Sequence, residues 1–124
     1  MSTLLRVLIV EDEVLIADFV ADLVEEAGYQ VAGVVATGEA ALTRLSSGGI
    51  SLVLLDIKLK GRLTGIDVAR AAQDLGVPHA FITGSGDPRM RAEAEATGPR
   101  AFLQKPVNAQ HLFNLLEAIG AADR

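Results

Sequence analysis

The stretch LVLLDIKLKG (52–61) decides the fold. Four apolar residues in a row are the pattern of a strand buried on both faces. Asp56 then stands where such a strand should leave the core. A carboxylate at that point needs a reason, and the rest of the chain supplies candidates.

Strand and helix patterns alternate on both sides of it. LLRVLIV (4–10) reads as a buried strand. EVLIADFVADLVEEA (13–27) reads as a helix, with Leu15, Phe19 and Leu23 at four-residue spacing as its apolar stripe and Ile16, Val20 and Val24 beside them. Gly28 is its expected stop. YQVAGVVA (29–36) is a valine-rich strand, and TGEAALTRLSS (37–47) a helix capped by Thr37. SLVLLD (51–56) is the third strand and TGIDVARAAQDLG (64–76) the third helix. HAFIT (79–83) follows Pro78 as a short strand. DPRMRAEAEATG (87–98) is a helix with Asp87 as cap and Pro88 at its first position. AFLQ (101–104) is the last strand. NAQHLFNLLEAIGAA (108–122) is the last helix, with Asn108 as cap and Leu112, Leu115, Leu116 and Ile119 as its stripe. Strands alternating with helices imply a parallel sheet covered on both faces, with right-handed crossovers. Ligands of such folds bind just beyond the carboxyl ends of the strands.

Composition narrows the function. The 124 residues are the size of one domain, expected to span 1–124, and half are apolar. Aromatics make up 4%, so Val, Leu, Ile and Ala must fill the core. The absence of cysteine excludes disulfides and thiolate metal sites. A formal net charge of -5 argues against direct nucleic-acid binding. No apolar run has the length of a membrane span, and the start MSTLLRVLIVEDE is no signal peptide, because its apolar run is short and ends in acids. A cytoplasmic location is the default expectation. There is no repeat, linker or low-complexity tract.

The expected strand ends carry Glu11, Asp12 and Glu13 after the first strand and Asp56 after the third. Thr83 ends the fourth, and Lys105 with Pro106 follows the fifth. If these edges converge, one crevice holds several carboxylates, a hydroxyl and an ammonium. Close like charges call for a cation. An all-oxygen cluster suits Mg²⁺. One carboxylate can then act as a nucleophile, and the lysine and hydroxyl can hold an anionic group such as phosphate.

Those pieces, in that order and at strand ends, make the sequence resemble the receiver domain of two-component response regulators, over essentially the whole chain. The pieces are Glu11-Asp12, Asp56 after LVLL, Thr83 after AFI, and Lys105-Pro106 after AFLQ. The resemblance implies a flavodoxin-like α/β fold, a doubly wound five-stranded parallel sheet in the order 2-1-3-4-5 with five helices. It implies that Asp56 accepts a phosphoryl group from a histidine kinase or histidine phosphotransfer protein. Mg²⁺ would be bound by Asp12, Asp56 and the main-chain carbonyl of Lys58, with Glu11 reaching it through water. Thr83 and Lys105 would each hold a phosphoryl oxygen. A cis Lys105-Pro106 bond is expected, and Thr83 with Phe102 would form the switch that alters a surface for a downstream protein target.

The sequence departs from the commonest pattern in three places. Lys60 stands four residues beyond Asp56, where proline is frequent, and the step from Asp56 to Gly65 is one residue longer than usual. Gly84 follows Thr83 in place of alanine. Phe102 lacks the hydroxyl of the commoner tyrosine, so a switch there must be one of packing. The basic loop KLKGRLTG (58–65) and the Phe-x-Thr-Gly string resemble an alphaproteobacterial subgroup, often paired with HWE-type kinases and including some stand-alone receivers. The chain is either a stand-alone receiver or a domain of a longer protein, and Met1 and the GAADR ending slightly favour the former.

Each residue also has a plainer reading. Asp56 could be a strand-end cap, Thr83 a turn hydroxyl and Lys105 a solvated lysine. Glu13 is better read as an acid complementing a helix N-terminus. Lys58, Lys60 and Arg62 read first as a solvated loop, and otherwise as partner docking or phosphate steering. Phe102 is core or switch. His79 and His111 read as structural, and Gly84 and Gly86 as turn glycines. Among functions, a receiver-like domain that only binds protein partners is the alternative to phosphorylation. A flavin protein on the same architecture is disfavoured because Glu11-Asp12-Glu13 would repel phosphate. An aspartate-based phosphatase is disfavoured because Lys58 stands where its second acid belongs. A receiver that phosphorylates and dephosphorylates only itself is not a conventional enzyme.

Overall fold

A computed structural model describes residues 5–84 and 86–122. Leu4 of the expected first strand, Ser85 and the last two residues of the GAADR ending lie outside them. The chain runs β1 (Arg6–Val10), α1 (Val14–Glu26), β2 (Gln30–Val35), α2 (Gly38–Ser46) and β3 (Leu52–Leu55). It continues with α3 (Gly65–Asp74), β4 (His79–Thr83), α4 (Pro88–Glu95), β5 (Phe102–Gln104) and α5 (Ala109–Ala122). The five strands form one parallel sheet in the order β2-β1-β3-β4-β5. The expected architecture and strand order are therefore present.

Side chains of a strand alternate between faces, and the core divides accordingly. Val7 and Ile9 of β1, with Leu52 and Leu54 of β3, pack under α1 and α5. Leu8 and Val10, with Val53 and Leu55, pack under α2 and α3. β3 is buried along its whole length because it lies inside the sheet with helices on both faces. The edge strands differ from the sequence reading. β2 and β5 are only partly buried, and Val34 is exposed, because an edge strand has a sheet neighbour on one side only.

The helix ends follow their capping residues. The Thr37 and Asp87 side chains accept from the Ala40 and Arg89 amides, and Asn108 accepts from the His111 amide. Gly28 takes a positive φ of 91° after α1, a conformation glycine adopts without penalty. The Lys105-Pro106 bond is cis, as expected.

The expected stripe of α1 is corrected by the structure. Leu15 and Phe19 are exposed, at 84% and 46%, while Ala17, Val20, Leu23 and Val24 are buried. Four residues advance a side chain by about 40° around a helix. The row Leu15-Phe19-Leu23 therefore winds from outside the buried arc into it. Leu15 and Phe19 instead line an apolar groove of about 410 Å³ with Ile16, Lys105, Pro106 and Val107.

His79 is buried at the start of β4, and its Nε2 lies 2.8 Å from the Thr97 hydroxyl. Burial holds its imidazole below the usual range, the Val77 carbonyl opposes this, and the Arg100 charge adds to it. The unfolded chain binds a proton near the ordinary value of 6.5, whereas the folded chain binds it only at lower pH. Stability is thus expected to fall as pH drops through 6.5. In urea titrations at about pH 7.5 and about pH 5.5, His79→Gln should lose part of that fall. An equal fall in parent and variant would contradict the assignment.

Candidate functional site

Strand register assembles the site. Val10 pairs with Leu55, so Glu11 and Asp56 follow side by side at the carboxyl ends of β1 and β3. The Asp56 amide donates to the Val10 carbonyl at 3.1 Å. On the other side Thr83 pairs with Gln104, and the Lys105 amide donates to the Thr83 carbonyl at 3.0 Å. A cavity of about 340 Å³ opens there, lined by Asp12, Glu13, Asp56, Lys58, Thr83, Gly84 and Lys105.

Lys105 holds the centre. Its Nζ lies 2.7 Å from Asp56 Oδ2, 2.8 Å from Glu11 Oε1 and 3.4 Å from Glu13 Oε1. The other carboxylate oxygens are also engaged. Asp56 Oδ1 accepts from the Ile57 amide at 2.7 Å, and Glu11 Oε2 from the Glu13 amide at 3.1 Å. Glu11, Asp56 and Thr83 are buried. Burial raises the pKa of Glu11 despite its bonds to Lys105 and Glu13. Burial also works against the charged Lys105, but the bonds and charges of Asp56 and Glu11 outweigh it and raise its pKa.

Glu11, Glu13 and Asp56 can bring one oxygen each within 4.8 Å of one another. This donor set is all oxygen and strongly anionic, and it fits a hard divalent cation such as Mg²⁺. Asp12 lines the same cavity but is not one of that close trio. Glu13 stands at the start of α1, as its N-cap, but its side chain makes no cap bond and faces Lys105 as well. Its place directly after the Glu11-Asp12 pair was the available signal.

The loop after Asp56 is braced at both ends. Thr64 and Asp67 form a reciprocal capping box that starts α3. The Gly65 amide donates to the Ile57 carbonyl at 2.7 Å. A Cβ on Gly65 would overlap the Asp56 carbonyl. Further out, Lys60 bridges to Thr37, and Gly61 packs against the Glu39 carboxylate with a φ of 95°. Lys58 reaches the cavity, while Lys60 and Arg62 are exposed. Among the described residues, Gly84 is not one of the glycines with a positive φ, so its turn does not require glycine for that reason. His111 is exposed on α5. Phe102 stacks on Phe81, with ring centroids 5.1 Å apart, and packs against the core on the α2–α4 face.

The sequence profile of the response regulator receiver domain matches residues 7–117, and the chain belongs to that family. It is 37% identical over 118 residues to the transcriptional regulatory protein CutR of Streptomyces coelicolor, covering 94% of this chain and 54% of CutR. It is 32% identical over 113 residues to the transcriptional regulatory protein PdtaR of Mycobacterium tuberculosis, covering 90% of this chain and 55% of that one. The chain thus spans about half the length of these relatives. Among solved structures it is similar to the signal receiver domain of a modulated diguanylate cyclase from Desulfovibrio desulfuricans, with a TM-score of 0.90, 34% identity, and 98% and 97% of the two chains covered. The CheY-like response regulator receiver domain protein of Methanospirillum hungatei gives 0.88 and 28%, with the same coverage. No helix among the described residues is long and apolar enough to cross a membrane.

Two substitutions probe this geometry. Glu11 has a raised pKa in the fold, so its charge at neutral pH opposes folding. Without divalent cations, Glu11→Gln is expected to be more stable than the parent at pH 7. On acidification the folded parent takes up its proton before the unfolded chain does, so the advantage should shrink towards pH 4.5. A less stable variant at pH 7 would refute this. Gly65→Ala is expected to cost about 1–3 kcal/mol by overpacking, read from urea midpoints, and an unchanged midpoint would show that the loop yields freely.

Proposed function

We propose that Asp56 accepts a phosphoryl group from a histidine kinase or histidine phosphotransfer protein, and that the modified domain presents an altered surface to a protein target. The observation that carries this is the Asp56 carboxylate, buried at a cavity mouth with an ammonium 2.7 Å from one oxygen. A carboxylate oxygen of Asp56 attacks phosphorus as the bond from phosphorus to the histidine nitrogen breaks. The departing electron pair stays on the imidazole, which takes up a proton. Lys105 is positioned to transfer its contact from Asp56 to a phosphoryl oxygen, and the Thr83 hydroxyl to donate to another. Mg²⁺ would be held by Asp12, Asp56 and the Lys58 carbonyl, with Glu11 through water. Glu13 is close enough to contribute. When bound, the ion supplies positive charge to the phosphoryl oxygens. Lys58, on the cavity wall, is placed to influence water attack on the acyl phosphate.

Residues 1–124 would act as one receiver domain in the cytoplasm, with Thr83 and Phe102 as the switch and no direct nucleic-acid or membrane contact. A protein donor must cover the cavity mouth, and the exposed Leu15 and Phe19 adjoin it through the shared wall at Lys105. Such a domain turns over its own phosphoryl group only, and is not a conventional enzyme.

The test is intact mass after incubation with acetyl phosphate and Mg²⁺. One phosphoryl group is expected on the parent, and none on Asp56→Asn or after chelation. A phosphorylated Asp56→Asn protein would overturn the proposal. If the parent gains no mass, beryllofluoride with Mg²⁺ should still shift resonances of Thr83 and Phe102. Silence in both experiments would favour a domain that only binds partners.

A further inference from the structure

Helix α4 has little apolar surface to hold it down. Ala94 is its one buried side chain, against five buried residues in α3. Met90 is partly buried, and the remaining residues of the helix are exposed. An eight-residue helix is marginal by itself. The Asp87 cap and the Arg91–Glu95 pair at 3.1 Å support its helicity, but both lie within the helix or its cap. They do not fix it to the sheet.

Two polar contacts reach outward. The Arg91 guanidinium carbon lies 3.9 Å from the centre of the Phe102 ring. Just beyond the helix, the Thr97 hydroxyl lies 2.8 Å from His79 Nε2 and also donates to the Ala94 carbonyl at 2.6 Å. Both land on one row of rings. His79 meets Phe81 edge-on at 5.8 Å, and Phe81 stacks on Phe102 at 5.1 Å. The Thr97 anchor is buried, whereas the Arg91 side chain is 47% exposed. The N-terminal end of α4 is therefore the weaker attachment. It is also the end connected through residues 84–87 to Thr83.

We propose that Arg91 is the positioning residue that seats the N-terminal half of α4 on the Phe102 ring. The contact fixes the ring against Phe81 and the helix against β5 together. Phe102 opens β5, which Lys105 directly follows, and Phe81 precedes Thr83 by two residues on β4. The ring row and the candidate site thus share two strands, and a displaced ring would release α4. That last step rests on the proposed phosphorylation, whereas the seating of α4 does not.

Amide hydrogen exchange in α4, measured on the full chain without a phosphodonor, tests the seating alone. Arg91→Met keeps a long side chain and removes the cation. It is expected to speed exchange of amides 91–96 roughly two- to fivefold, the range of an exposed cation–ring contact. Amides of α1 and α3 should be unchanged. Arg91→Lys should restore at least half of the protection. Glu95→Gln breaks the helix pair but leaves the ring contact, so it should have a smaller effect. In a Phe102→Leu chain, adding Arg91→Met should change nothing further. The proposal is overturned if Arg91→Met exchanges like the parent, if Glu95→Gln matches Arg91→Met, or if the Arg91 and Phe102 effects simply add.

Discussion

Two buried carboxylates share one ammonium. Glu11 and Asp56 stand on adjacent strand ends, and Lys105 Nζ lies within 2.8 Å of both. Without Lys105 the two would repel in a poorly solvated place. Removing the shared ammonium would leave both carboxylates buried and unpaired, a kind of loss that typically costs about 3–5 kcal/mol. The parallel register of β1, β3, β4 and β5 brings these groups from residues 11, 56 and 105 to one point. The sheet is thus a scaffold that holds charge at its rim, and that stored charge is what a divalent cation and a phosphoryl group would engage.

The same rim is stiff in one direction and loose in another. On the β3 side, Gly65 packs against the Asp56 carbonyl, and the Thr64–Asp67 capping box fixes the start of α3. The acceptor candidate therefore has little freedom. On the β4–β5 side, α4 buries a single side chain and leans on Arg91 and Thr97. Local opening is easiest where few apolar contacts hold an element. A rigid carboxylate beside a lightly held helix is an arrangement in which a local chemical change can move a surface.

Much of this was legible in the sequence, for identifiable reasons. A short apolar run such as LVLL, in a chain alternating with helix patterns, fits a doubly covered strand, and the caps Thr37, Asp87 and Asn108 marked three helix starts. Asp56, Thr83 and Lys105 could be expected at one rim because they directly follow or end strands, and they line one cavity. Where the reading failed, three-dimensional placement had decided. Four-residue spacing marked Leu15 and Phe19 as core, but the rotation of α1 leaves them at a groove. Glu13 is the helix-start acid it looked like, but only the position of Lys105 across the rim draws it into the cluster as well. Nothing local marks β2 and β5 as edges, since strand order is a property of the whole sheet. The contact of Arg91 with Phe102 joins two elements and leaves no pattern in either.

The central claim is that the carboxylate held by Lys105 is the one that takes the phosphoryl group. Borohydride reduction after treatment with a phosphodonor and Mg²⁺ tests it directly, because an aspartyl phosphate is reduced to homoserine while a free aspartate is not. Peptide sequencing by mass spectrometry should then find homoserine at position 56 and at no other acid. Homoserine at position 12, or reduction spread over several surface aspartates, would contradict the account.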